Sequence, residues 1–232
     1  MMPFMMKQQI AGIVFDLDGV LVNSEPLHLK AWEETVLAHG VKMKKNWFSG
    51  AMGVPDFKTV KDICGWYDLG VSPDQLLHEK RSIVEARASE IVDQYEGVKE
   101  LVAELSCLPI AVATSSCRKV AVELLKGAGI LDYIPTIISS DDVIKTKPSP
   151  ECYIKACRSL NLSPEKCIAV EDSAVGIDAA KSAGLSVLAV CTSYKRDALM
   201  KADACFEEPR EALQWIADQI KETREEVCIN PM

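Results

Sequence analysis

The sequence predicts an α/β protein: a parallel sheet alternating with helices, interrupted once by a purely helical insertion. Three observations carry this. Short, unbroken apolar runs of strand length recur along the chain, as they do in strands buried on both faces. Segments with apolar residues at three-and-four spacing separate most of them, and strand–helix alternation implies an open sheet with right-handed crossovers. From about Ser24 to Gly97 the rhythm breaks, and only helical patterns are visible.

The first apolar run, Ile10 to Phe15, is the first predicted strand. Helical patterns then cover Leu27 to His39, Asp56 to Tyr67 and Pro73 to Tyr95, with no buried strand among them. Val98 to Leu105 reads as the displaced crossover helix. Ile110 to Ala113, Thr136 to Ser139, Cys167 to Val170 and Ser186 to Val190 are the remaining strands. Lys119 to Ala128, Pro150 to Leu160 and Ala174 to Ala183 are the helices between them. Gly127-Ala128-Gly129 and Gly184 stop two of those helices. The charged tail after Ile220 is expected to be loosely held. The expected organisation is a Rossmann-like parallel-sheet core from residues 1–23 and 98–232, with an α-helical cap domain at 24–97.

A chain of 232 residues suffices for one large domain carrying a sizeable insertion. Its net charge of −8 disfavours nucleic acid and membrane surfaces, both of which attract clustered Lys and Arg. The N-terminal Met-rich segment lacks the length and cleavage site of a signal peptide, and no run reaches membrane-spanning length. Nine cysteines, an odd number without a CxxC, argue against zinc and a disulfide framework and for a reducing cytoplasm. Cys167 and Cys191 read as small core residues. Trp32, Trp47 and Trp66 are expected to pack the cap's own core. A monomer or weak dimer is expected.

The first strand runs directly into Asp16-Leu17-Asp18-Gly19. Two carboxylates brought together at a poorly solvated strand end cost free energy unless a cation, a proton or hydrogen-bond donors compensate. Ligands of open α/β sheets bind at the carboxyl ends of the strands. The other strand ends carry Thr114-Ser115-Ser116, the loop pair Lys147-Pro148, and Glu171-Asp172-Ser173. Asp16, Asp172, a carbonyl near Asp18 and, as a further candidate, Glu171 form a plausible Mg²⁺ site, since Mg²⁺ takes oxygen ligands. Lys147, Thr114 and Ser115 would hold phosphate oxygens, aided by the helix that starts near Ser116. Asp16 is the better placed nucleophile, and Asp18 could serve as acid and base. Phosphoryl transfer is mostly positioning and charge neutralisation, which these groups supply.

The ordered set Asp16-Leu17-Asp18-Gly19-Val20, Thr114-Ser115, Lys147-Pro148 and Glu171-Asp172-Ser173, followed by Gly176-Ile177-Asp178-Ala179-Ala180, resembles the four motifs of the haloacid-dehalogenase-like hydrolases. The nearest likeness is to their beta-phosphoglucomutase-like and sugar-phosphatase branch, and it extends to about residue 195. The resemblance implies Asp16 as the phosphorylated nucleophile and Asp18 as acid/base. It implies Mg²⁺ held by Asp16, the Asp18 carbonyl and Asp172, with Glu171 as a ligand or beside it. Thr114 and Lys147 would grip the transferring phosphoryl group. Dehalogenases lack the second aspartate, so Asp18 argues against that activity.

Within the branch, mutases carry Gly-Val-Ser-Arg in the cap, whose arginine grips the substrate's second phosphate. This chain has Gly53-Val54-Pro55-Asp56, and an aspartate there would repel that phosphate. Lys58, Lys80 or Arg81 could substitute. His28 matches a histidine of the mutase pattern, whereas Asn23-Ser24-Glu25-Pro26 is more like the phosphatases. The expected function is Mg²⁺-dependent hydrolysis of a small phosphorylated metabolite, a sugar phosphate above all, with substrate contacts around His28 and Gly53. A hexose-phosphate mutase is the alternative; a phosphoacceptor or sugar-phosphate sensor without turnover is a further one.

Overall fold

A computed structural model describes residues 9–44, 47, 56–88 and 93–229 of the chain. Gly53, with the Gly-Val-Pro stretch before Asp56, lies outside the described residues. Six parallel strands form one sheet: β1 (Gly12–Phe15), β2 (Ile110–Ala113), β3 (Thr136–Ile138), β4 (Cys167–Glu171), β5 (Ser186–Val190) and β6 (Ala204–Phe206). Their order is β3-β2-β1-β4-β5-β6, all in parallel register. The order reverses direction at β1, which places the first strand between β2 and β4 and opens a crevice at its carboxyl end.

Three helices, α1 (Glu25–Ala38), α2 (Asp56–Trp66) and α3 (Pro73–Arg87), follow β1. After them come α4 (Val98–Leu105), α5 (Arg118–Gly127), α6 (Glu151–Ser159), α7 (Ala174–Ala183) and α8 (Pro209–Ile229). The sheet is sandwiched between two apolar layers. Ile13, Phe15, Val112 and Val170 pack with α4, α5 and α8 on one face; Val14, Ala111, Ala169 and Val187 pack with α6 and α7 on the other. Tyr153 is the largest fully buried side chain, and it stands under the β4 end of the site.

The three inserted helices close around a smaller cluster of Trp32, Val36, Val60, Ile63 and Leu76, with Trp47 partly buried against it. Trp66 departs from expectation: it is 56 % exposed, because the last turn of α2 has passed beyond that cluster. α1 belongs to both cores, since Leu27 and Ala31 pack with the sheet layer while Trp32 and Val36 pack with α2 and α3.

Element boundaries match the sequence pattern closely for β2, β5, α4 and α7. Three differences stand out. α3 ends at Arg87 rather than Tyr95; beyond it Asp93 makes an isolated antiparallel bridge with Asn23, which fixes both connections between helices and sheet side by side. β6 was not legible, being a three-residue, half-buried edge strand. The tail after Ile220 continues as helix to Ile229, and Lys221 pairs with Glu104 of α4 at 2.9 Å; α8 is packed into the sheet layer upstream of it, by Ala212, Leu213, Ile216 and Ala217.

Candidate active site

The carboxyl ends of β1, β2, β4 and β5 converge on one cleft of about 460 Å³. A wider hollow of about 600 Å³ lies elsewhere, but a single stretch from Cys64 to Gln75 builds it and no groups from distant elements converge there.

Asp16 extends the β1 ladder by one bond, its N–H donating to Val170 O at 2.9 Å, and its side chain then points off the sheet edge. The chain turns at once. The N–H groups of Leu21 and Val22 donate back to Leu17 O, and Gly19 adopts a left-handed φ of +78°. A Cβ at Gly19 would lie 1.9 Å from Asp172 Oδ2, so only glycine lets this loop approach the β4 aspartate. Thr192, just past β5, donates its hydroxyl to Gly19 O at 2.7 Å and pins the turn.

Asp16, Glu171 and Asp172 each offer an oxygen within 4.8 Å of the others, and all three are buried. Lys147 bridges two of them, Nζ standing 2.6 Å from Asp16 Oδ1 and 2.6 Å from Glu171 Oε1. Burial alone would lower the lysine pKa; the two carboxylates outweigh it and hold the ammonium well above its ordinary range. Burial pushes Asp16 upward with Lys147 opposing, and burial together with Glu171 pushes Asp172 up to about 7. Ser193, beyond β5, donates its hydroxyl to Asp172 Oδ2.

Glu171 is fully buried, and the protein occupies both of its oxygens. Oε1 accepts from Lys147 and from Tyr153 O–H at 2.8 Å. Oε2 accepts from the N–H groups of Asp172 and Ser173 at 3.1 Å and from the Ser173 hydroxyl at 3.0 Å. A Cβ at Gly176 would sit 1.8 Å from Oε1, so the first turn of α7 needs glycine to admit the carboxylate.

Asp18 lies across the cleft. Its Oδ2 accepts from Ser116 Oγ at 2.9 Å and from Thr114 Oγ1 at 3.4 Å. Thr114 is buried and also accepts from Ser116 N at 3.0 Å, while Ser115 is exposed on the cleft wall. The other oxygen of Asp18, Oδ1, is buried without a hydrogen-bond partner among the described residues. His28 Nε2 of α1 faces it at 4.0 Å.

His28 is the end of a chain through the inserted helices. Its Nδ1 lies 2.7 Å from Lys80 Nζ, and Lys80 contacts both oxygens of Asp56 at 2.8 Å. An ammonium only donates, so Nδ1 accepts and the neutral ring carries its proton on Nε2, toward Asp18. Burial and then Lys80 lower the His28 pKa, which keeps that ring neutral. Burial would raise Asp56, but Lys80 outweighs it and the carboxyl stays below its usual range.

The structure thus brings together Asp16, Asp18, Thr114, Ser115, Lys147, Glu171, Asp172 and His28. Sequence reasoning missed Ser116 as a partner of Asp18, Tyr153 under Glu171, and Thr192 and Ser193. The last two had a signal: they follow β5 at the same sheet edge as the other polar ends.

A parallel sheet with a reversal at β1 carries an acidic, lysine-bridged cleft at that reversal, to which α1 of the helical insertion adds His28. The family model for haloacid dehalogenase-like hydrolases matches residues 13–190, and the chain belongs to that family. The chain is 32 % identical over 204 residues to a validoxylamine A 7′-phosphate phosphatase of Streptomyces hygroscopicus subsp. limoneus, covering 87 % of this chain and 95 % of that one. It is 28 % identical over 185 residues to a fructose-1-phosphate phosphatase of Escherichia coli, covering 80 % and 98 %. A beta-phosphoglucomutase crystal structure from Clostridium difficile shares the fold with a TM-score of 0.73 at 23 % identity, covering 93 % of this chain and 99 % of that one. Phosphatase relatives support a hydrolase of phosphatase type. Among the described residues no helix is long and apolar enough to cross a membrane.

Proposed function

We propose that this chain is a Mg²⁺-dependent phosphatase that hydrolyses a small phosphorylated sugar through an aspartyl-phosphate on Asp16. The observation that carries the reading is the meeting of Asp16 and Asp172, from two separate strands, around Lys147. Lys147 pairs with Asp16 and Glu171 while Asp172 stands beside them and Asp18 across the cleft, and burial makes the excess negative charge costly. A divalent cation with a preference for hard oxygen donors relieves it, and Asp16, the Asp18 carbonyl and Asp172 are the residues that would hold one. When bound, Mg²⁺ would neutralise phosphate oxygens and orient them toward Asp16. Glu171, with both oxygens already taken by protein donors, suits a place beside the ion, anchoring Lys147 and the start of α7.

Asp16 attacks phosphorus while the bond to the leaving oxygen breaks, and Asp18 gives that oxygen a proton. Asp18 then takes a proton from water as it attacks the aspartyl-phosphate, and inorganic phosphate leaves. Lys147, Thr114 and Ser115 hold the non-bridging oxygens through both steps. Residues 24–97 act as a cap whose closure sheds water from the cleft, with residues 1–23 and 98–232 as the catalytic core. His28 and the segment around Gly53 contact the leaving sugar. Free thiols suit a cytoplasmic setting.

Asp56 and Lys80 favour a singly phosphorylated substrate over a mutase cycle. Lys80 is 1 % exposed with its charge matched by Asp56, and Lys58 and Arg81 are exposed. None of these three offers a cleft-facing cation for a second phosphate. The test is a panel of phosphorylated sugars with Mg²⁺, following both free phosphate and isomers. Phosphate release in many turnovers, abolished by Asp16→Asn, is expected. Isomer formation without phosphate release would replace this reading with the mutase, and full activity of Asp16→Asn would remove the mechanism.

A further inference from the structure

Cys191 and Cys205 are poised as a thiol pair beside the groups that hold Gly19 and Asp172. β5 and β6 are parallel neighbours with Ala189 opposite Cys205, and Cys191 lies two residues beyond Ala189. Side chains two apart share a face of a strand, so the two cysteines are diagonal neighbours on one side of the sheet. Their sulfurs are 3.4 Å apart, and both residues are half-buried. Cys157 and Cys167, by contrast, are sealed in the core. The residues directly after Cys191 are Thr192, which pins Gly19 O, and Ser193, which bonds Asp172.

We propose that Cys191 and Cys205 form a thiol–disulfide modification site for small-molecule disulfides of the glutathione type, and that its oxidation disables the phosphate site. The effect on turnover rests on the phosphatase reading; formation of the bond does not. The Cys191 thiolate attacks one sulfur of the small disulfide, the S–S bond breaks and one thiol leaves. Cys205 sulfur then attacks the Cys191 sulfur of the mixed disulfide and releases the second thiol. Two electrons pass to the small molecule, whose two thiols carry off the two cysteine protons. Burial and then the neighbouring Cys191 sulfur push the Cys205 thiol up to about 12, which makes Cys205 the poorer first attacker; capping Cys191 as the mixed disulfide removes that thiol's share of the effect before Cys205 attacks.

An S–S bond of about 2.05 Å requires the sulfurs to close by more than an ångström. β6 is a three-residue edge strand, and 191–193 is a turn, so both can yield. The pull acts on the backbone that carries Thr192 and Ser193. A displacement of about 1 Å at catalytic groups costs about 100-fold.

The full chain, reduced and then exposed to glutathione disulfide, is mapped by peptide mass spectrometry while aryl phosphate hydrolysis is followed with Mg²⁺. A peptide linking Cys191 to Cys205, lighter by two hydrogens, is expected. Turnover falls about 10- to 100-fold and recovers with dithiothreitol. Cys205→Ser and Cys205→Ala stop at the mixed disulfide on Cys191 and form no internal link. Absence of the linked peptide after the exposed Cys107 has reacted would overturn the site. Linkage with unchanged turnover would overturn its control of activity. A reduced protein that never hydrolyses aryl or sugar phosphates would sink the phosphatase reading alone, because the mapping still reports on the thiols.

Discussion

Replacing Glu171 by glutamine tests how the β4 end is held. The change keeps the shape and removes the charge of a fully buried side chain that accepts five hydrogen bonds. No orientation of the amide suits this site. With its NH₂ toward Lys147 and Tyr153, donors meet donors; with its NH₂ toward the start of α7, the N–H groups of Asp172 and Ser173 lose their acceptor. Each buried donor left unpaired costs about 1–3 kcal/mol. Removing one carboxylate from the cluster relieves some repulsion, so the net loss comes to roughly 2–4 kcal/mol out of the ~5–15 kcal/mol typical of a domain. At about 2–4 °C per kcal/mol for a chain of this size, the melting temperature drops by about 10 °C. Circular-dichroism melts and urea titrations of wild type and Glu171→Gln, with and without Mg²⁺, measure it. The penalty grows with Mg²⁺, because a bound cation already relieves the repulsion that the substitution removes. A loss under about 1 kcal/mol in both conditions would refute the account of Glu171 as an anchor.

Gly176→Ala forces a Cβ to within 1.8 Å of the Glu171 carboxylate, and thermal melting should show a loss above about 3 kcal/mol. Asp172 has its folded pKa raised to about 7 from an ordinary 3.8, so the metal-free folded state keeps a proton that the unfolded chain releases. Its contribution is therefore fully present below pH about 4 and is lost as pH rises through about 7. Urea titrations should show wild type losing ground to Asp172→Asn across that window, on the order of 1.4 kcal/mol per pH unit; a gap that widens in favour of wild type would contradict the assignment. Asp56→Ala leaves the buried Lys80 without its counter-charge and pushes an ammonium already held below its ordinary range by burial further down, so urea titrations should show a loss of about 3–5 kcal/mol. A loss under about 1 kcal/mol would separate Asp56 from the charge of Lys80.

The chemistry-bearing strand ends were legible because each sits where an apolar run stops, and a buried parallel strand has few other reasons to end in a carboxylate. β2, β5, α4 and α7 were legible for the same reason, since their periodicity is clean and their stops are marked. β6 was not, because three half-buried residues give neither a run nor an alternation. The course of α8 past Ile220 was hidden by its charge, although Lys221 uses that charge to pair with α4. The relay from Asp56 through Lys80 to His28 joins residues on three helices, and no local pattern announces it. Lys80, one of three cations that the sequence offers for gripping a second phosphate, is instead removed from water by packing against Trp32, 5.5 Å from the ring.

The position of β1 has a consequence for synthesis. The first strand to leave the ribosome takes its partners from residue 110 on one side and residue 167 on the other. Until then it has no sheet to join, while the helices that follow it can already gather around Trp32 and Ile63. Asp16 therefore waits through most of translation before Lys147, Asp172 and Ser193 arrive, and a nascent chain stalled short of residue 147 carries this carboxylate without the ammonium that pairs with it.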